Sequence, residues 1–327
     1  MAQMKYFYEL TVSSSPHAHS KTTTQTVMRD VLIALIPALI GSVYFFGFRA
    51  LMVTLVSGAA CVFFEWIYRK VMKLDSTVYD LSAVVTGVLL AFVCPVTVPY
   101  WVIIIGDFFA IIVVKQLFGG IGQNFMNPAL AARAFLFSWP VVMSTWVAPG
   151  FGNAVGIFQT DAVSSATPLA GETGVTLWNL FIGNVGGCLG ETSALLLLIG
   201  FGYLLIRRVI TPRIPTAFLG TVAVIAILFP QGHDPLYWAG YQILSGGVML
   251  GALFMATDYV TSPVTKWGQV IFGIGCGAVT MAIRYLGSYN EGVSYAILVM
   301  NACVVMLDKV GRPRKFGAPK KEAAKKS

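Results

Sequence analysis

The sequence predicts an all-α polytopic membrane protein of about ten transmembrane helices, some of them broken or re-entrant. Three observations predict it. Only 11% of the 327 residues are charged, against about 25% in an ordinary soluble domain. Apolar residues make up 57%, and the mean hydropathy is +0.76. These apolar residues gather into blocks close to the length of a bilayer span, about 20 residues, with the basic residues between them. A soluble globule of this composition would leave much of its apolar surface in water. Disorder, a collagen-like chain and a disulfide-rich secreted domain are excluded by the same composition.

In chain order, residues 1–30 are polar and read as a cytoplasmic N-terminal segment. Their apolar stretch begins too late for a cleavable signal peptide. Residues 31–147 form a first membrane half, with blocks at 31–48, 50–68, 79–94, 100–118 and 128–147. Residues 148–176 are a polar, Gly-rich loop without Lys or Arg. Residues 177–308 form the second half, with blocks at 190–206, 215–229, 236–256, 267–286 and 293–308, and 309–327 is a basic tail. Pro37 and Pro140 lie inside blocks and are expected to kink them. The apolar stretch 177–190 carries four glycines after Phe181 and is expected to be a re-entrant half-helix, tolerated only where other protein buries it.

Charge sets the expected orientation. With the N-terminus in the cytoplasm and sides alternating, nineteen basic residues fall inside, and only Arg49 and Arg284 fall in outer loops. Arg133 lies within a block. Both termini are therefore expected in the cytoplasm and the 148–176 loop outside. The net charge of +8 then serves orientation, not nucleic-acid binding. A weak internal echo links Pro95-Val-Thr-Val-Pro-Tyr-Trp101 to Pro230-Gln-Gly-His-Asp-Pro-Leu-Tyr-Trp238, each ahead of an apolar block. Five blocks on either side of the long loop would also suit an inverted repeat. The two patterns disagree, because the echo puts both copies on one side.

Ionisable groups in or beside membrane blocks are functional candidates. Glu65, Asp107, Arg133, Glu191 and Asp258 qualify, and Asp107 has the most apolar flanks. Asp107, Arg133, Glu191 and Asp258 are taken as candidates for an ion path, with Arg133 the natural mate for one of the carboxylates. Asn124, Asn127, Thr257, Thr261 and Ser262 sit near expected helix breaks, where they either cap helices or help to coordinate a cation. The five cysteines (Cys61, Cys94, Cys188, Cys276, Cys303) show no CxxC pair and read as packing residues. His17, His19 and His233 are isolated, so no metal site is expected. Gly119-Gly-Ile-Gly122 opens no βαβ unit, so no NAD site is expected in this chain.

The segment Asp161-Ala-Val-Ser-Ser-Ala-Thr-Pro-Leu169 stands apart. Pro168 fixes its own φ and pushes Thr167 towards an extended conformation, and the small neighbours are expected to leave the Thr167 hydroxyl open. From Asp161 through Ser164, Ser165 and Ala166 to Thr167, the segment resembles the flavinylation motif of the RnfD/NqrB family of membrane subunits. Ser165 stands where the commonest form has Gly. Further matching stretches run through nearly the whole chain. They are Ser14-Ser-Pro-His17 before Met28-Arg-Asp30, Gly119 to Pro128, Gly183-Asn-Val-Gly-Gly-Cys-Leu-Gly-Glu191, Phe254-Met-Ala-Thr-Asp258 with Thr261-Ser-Pro263, and Glu291 to Leu298.

The resemblance implies FMN joined to Thr167 by a phosphoester, and leaves room for a second, non-covalent flavin (riboflavin). It further implies a subunit, not catalytic alone, of a plasma-membrane Rnf complex that moves electrons between ferredoxin and NAD⁺ and translocates Na⁺ or H⁺. Ferredoxin and NAD would meet partner subunits, and a flavin transferase would reach Thr167 from outside. The short N-terminal segment favours the RnfD branch over the NqrB branch of sodium-pumping NADH:quinone oxidoreductases. Readings from other classes are a small-solute channel or transporter, suggested by the broken helices, and a scaffold for redox subunits.

Overall fold

The computed structural model describes residues 22–143, 145–149, 167–170, 175–191, 193–287 and 291–309. Thirteen helical segments lie among them. α1 (Thr24–Phe46), α2 (Phe48–Val71) and α12 (Lys266–Leu286) are each long and apolar enough to cross a membrane by themselves. The others are shorter or interrupted. They are α3 (Ser82–Phe92), α4 (Tyr100–Phe108), α5 (Pro128–Leu136), α6 (Pro140–Met143), α7 (Leu177–Ile182), α8 (Ala194–Ile206), α9 (Arg213–Leu228), α10 (Pro235–Leu244), α11 (Val248–Leu250) and α13 (Val293–Leu307).

Local chemistry sets these boundaries. Thr23, Asn127, Thr176, Ser193 and Thr265 cap α1, α5, α7, α8 and α12 through side-chain oxygens that accept orphan backbone N–H groups. Pro128 and Pro235 occupy first-turn positions, where their missing N–H costs nothing. Pro37 sits inside α1 without ending it. Pro140 acts differently from the expected kink, because α5 has already stopped at Leu136 and Pro140 opens a separate four-residue turn.

The internal echo has a structural counterpart. After the first copy, α4 passes into a π-helical stretch, Phe109–Gln116. After the second, α10 bends by 69° into α11 and a π-helical stretch, Gly251–Met255. π-helical turns commonly mark functional positions. The expected re-entrant segment is also broken. α7 ends at Gly183, and the non-helical run up to α8 lies against the end of α3, with Leu189 and Gly190 N–H donating to the carbonyls of Cys94 and Phe92 at 3.1 and 2.8 Å. Protein thus satisfies this irregular backbone, as lipid could not.

Small residues let the helices approach closely. A Cβ on Gly87 of α3 would lie 2.8 Å from Gly58 Cα and the Ser57 carbonyl of α2. Gly273 and Gly277, one turn apart on α12, face the backbone of α9 around Ile214 and Phe218. The two arginines expected in outer loops are instead drawn inward. Arg49, in the first turn of α2, is 1% exposed and donates to the carbonyls of Val96 and Val98 at 2.7 and 3.0 Å. Arg284, at the end of α12, donates to the carbonyls of Gln242 and Ser245 at the α10–α11 break. Arg49 serves carbonyls of the α3–α4 connection, and Arg284 serves carbonyls that the α10–α11 break leaves without a ladder.

Candidate functional site

Arg133 organises the first cluster. It is carried in the last turn of α5, 2% exposed. One Nη donates to Glu191 at 2.9 Å and the other to Glu291, so one guanidinium faces two carboxylates. Glu191 ends the irregular run before α8, and Glu291 precedes α13. Arg133 also contacts Cys188 Sγ at 3.6 Å. Cys188, Glu191 and Glu291 lie close enough together to ligate a metal, but Arg133 already provides their counter-charge. Arg133 Nε and Glu191 Oε2 are buried without a hydrogen-bond partner among the described residues, and so is Arg284 Nε nearby.

Thr167 belongs to this cluster. It lines a small cavity, of about 10 Å³, with Glu191, Glu291, Gly186, Gly187 and Gly246. The expected open hydroxyl is not what the fold provides: Thr167 is 8% exposed. The cause is the turn that follows it. Residues Pro168–Ala170 form a single 3-10 turn, and the Tyr241 hydroxyl donates to the Pro168 carbonyl at 2.6 Å. Leu169 packs at Gly246, whose φ of 63° and missing side chain make room for it. Asp161, Ser164, Ser165 and Ala166 lie outside the described residues.

Asp107 occupies a separate cluster, and Arg133 is not its mate. Fully buried on α4, its Oδ1 lies 2.6 Å from Ser57 Oγ and 3.2 Å from Cys61 Sγ, both on α2. Cys61 thus does more than fill space. One turn beyond Cys61 on α2, Glu65 accepts from Lys115 at 2.8 Å and from Thr77 at 2.5 Å. Lys115 also contacts Ser82 Oγ at 2.6 Å, and Ser82 in turn binds Asp80.

Asp258 follows the second π-helical stretch and accepts locally from Thr261 Oγ1 at 3.0 Å. It lines a larger cavity, of about 90 Å³, with Lys115, Ser82, Asn124, Asn127 and Thr257. Asn127 joins the two broken helices, since its Oδ1 caps α5 while its Nδ2 donates to the Met255 carbonyl at 3.3 Å.

Of the four ion-path candidates, the fold therefore joins Arg133 to Glu191 and keeps Asp107 and Asp258 apart from them. Sequence reasoning did not include Glu291 among these candidates. Its signal was an acidic residue directly ahead of the last apolar block. The Lys115–Glu65 pair was also missed, because Lys115 reads as a loop cation when only its block end is seen.

Comparison with known proteins places the chain in context. Residues 11–317 match the family model described as the NQR2, RnfD, RnfE family. The chain is 49% identical, over 95% of its length and 96% of the relative's, to the D subunit of the Na⁺-translocating ferredoxin:NAD⁺ oxidoreductase complex of Acetobacterium woodii. It is 39% identical to the D subunit of the proton-translocating ferredoxin:NAD⁺ oxidoreductase complex of Clostridium ljungdahlii, over 94% of the chain and 96% of the relative. With the D subunit of the ion-translocating oxidoreductase complex of Stutzerimonas stutzeri the identity is 38%, over 91% and 93%. The chain is a multi-pass membrane protein that belongs to the NQR2, RnfD, RnfE family.

Proposed function

We propose that this chain is the membrane electron-transfer subunit of an ion-translocating ferredoxin:NAD⁺ oxidoreductase and carries FMN on Thr167 through a phosphoester. The observation that carries the reading is similarity, over more than nine-tenths of the chain, to the D subunits of such complexes. The motif ending at Thr167 supplies the attachment point. The cavity at Thr167 is lined by Glu191 and Glu291, which Arg133 pairs from behind, and Arg133 and Arg284 each keep an Nε without a partner among the described residues. When bound, the flavin supplies the redox chemistry, and the protein supplies position and electrostatics. Tyr241 anchors the turn after Thr167, while Glu191 and Glu291 balance the two arginines.

In this reading ferredoxin and NAD⁺ meet other Rnf subunits. The termini are cytoplasmic, the 148–176 loop is external, and a transferase acts from that side. The charge split of the loops supports this orientation. So does the grouping of Asp30 with Arg207 (3.2 Å) and of Glu65 with Lys115, on segments expected inside. The resemblance leaves room for a second, non-covalent flavin, which this reading does not place. Because Arg133 and Glu191 are committed to each other, Asp107 and Asp258 are the proposed ion stations. The relatives from Acetobacterium woodii and Clostridium ljungdahlii are named for different ions, Na⁺ and protons.

The test is mass spectrometry of the chain made together with its flavin transferase. The peptide spanning residues 161–169 should carry the mass of FMN, Thr167→Ala should lose it, and Thr167→Ser should keep part of it. Flavin released by denaturing Thr167→Ala would report the second site. An unmodified wild-type peptide refutes the assignment. For ion coupling, Asp107→Asn in the assembled complex should keep ferredoxin oxidation and lose most ion uptake into vesicles. Unchanged uptake per electron removes Asp107 from the path.

A further inference from the structure

The contacts of Asp107 contain one hydrogen too few for a carboxylate. Ser57 Oγ lies 2.8 Å from the Gly87 carbonyl and 2.6 Å from Asp107 Oδ1. Both neighbours are acceptors if Asp107 is ionised, and a serine hydroxyl has one hydrogen to give. One of two short oxygen–oxygen contacts would then have no hydrogen between its atoms. Cys61 Sγ–H can serve Oδ1 but cannot relieve the Ser57 contact.

A proton on Asp107 resolves the count. The acid donates from Oδ1 to Ser57 Oγ, Ser57 donates to the Gly87 carbonyl, and Cys61 donates to the acid. Every short contact then has one hydrogen. We propose that Asp107 is a proton-binding site, held as the neutral acid between α2, α3 and α4.

The surroundings agree. Asp107 and Ser57 are both 0% exposed, and Asp107 Oδ2 has no partner among the described residues. No described cation pairs with Asp107: Lys115 is bound to Glu65, and Arg133 to Glu191 and Glu291. The titratable groups facing it are Cys61 and Glu65 from α2, Cys94 after α3, and Lys115 further along its own helical run. At the α2–α3 crossing a side chain on Gly87 would meet the backbone of Ser57 and Gly58, so the two helices pack closely beside the acid.

The site also has a route to a cavity. Ser57, Cys61 and Glu65 recur every fourth residue and share one face of α2. Glu65 leads to Lys115 and Ser82, which line a cavity together with Asp258. The site is thus a buried acid at the end of a polar stripe that opens at Lys115. The inference deepens the ion-coupling reading, but the proton's presence does not depend on that reading.

Infrared difference spectroscopy of the purified full-length chain tests it, with neither partner subunits nor flavin required. Wild type minus Asp107→Asn should show one neutral-carboxyl C=O stretch, persisting at neutral pH. Ser57→Ala should shift that band, because the acid loses its acceptor. Loss of a carboxylate band in Asp107→Asn, or no carboxyl change at all, overturns the proposal. If Asp107→Asn does not accumulate, Ser57→Ala decides alone: a shifted neutral-carboxyl band supports the site, and an unshifted spectrum overturns it.

Discussion

Removing Arg133 should expose how much of this fold rests on one guanidinium. In Arg133→Gln, Glu191 and Glu291 would face each other without their shared cation. The Arg133 and Glu191 side chains are each 2% exposed, while Glu291 is 15% exposed. Breaking a buried pair by deleting one partner costs about 3–5 kcal/mol, because the remaining charge is left uncompensated. For a chain of 327 residues that corresponds to a fall of roughly 4–7 °C in Tm, at about 2.1 cal/mol/K of unfolding entropy per residue. The burden falls mainly on Glu191, which is more enclosed than Glu291 and already has one oxygen without a partner. Thermal unfolding in detergent can be followed by thiol labelling, since Cys61, Cys94, Cys188 and Cys276 are all buried in the fold. The double variant Arg133→Gln/Glu191→Gln should recover much of the loss, and more than Arg133→Gln/Glu291→Gln. A single variant within about 1 kcal/mol of wild type, or equal behaviour of the two doubles, would refute the account of a buried charge cluster. Such a coupling measurement is informative because the residues are in contact.

Three further outcomes follow from the packing and the charge pattern. Gly87→Ala puts a methyl 2.8 Å from the backbone of α2, where nothing flexible can yield; overpacking of this kind costs about 1–3 kcal/mol, and an unchanged Tm would show that α2 and α3 can separate freely. Gly246→Ala combines a left-handed φ, worth roughly 1–2 kcal/mol, with a contact 2.7 Å from Leu169; limited proteolysis should cut sooner next to Thr167, and wild-type resistance would show that Leu169 does not hold the turn. Labelling of single cysteines from outside intact cells should modify Gly156→Cys but not Ala318→Cys, and the reverse pattern would invert the proposed orientation.

Composition and charge were enough to determine the class of this protein, because the bilayer imposes a requirement that any sequence must meet residue by residue. Apolar blocks placed most of the helices, since hydrophobicity is a property of each residue. The motif ending at Thr167 was legible through its resemblance to the family's pattern. Pairings between distant residues were not. Arg133 meets Glu191 and Glu291 across separations of 58 and 158 residues, and Asp107 meets Ser57 fifty residues away. No local pattern encodes such a meeting; it results from helices that touch where glycines allow it. Burial of Thr167 was likewise decided by tertiary structure, through Tyr241 and Gly246. Arg49 and Arg284 give the same lesson, since both counted as loop charges until the fold brought them the backbone carbonyls they bind. Local sequence determined which residues could satisfy lipid or water, and only the packed fold decided which polar groups had to satisfy one another.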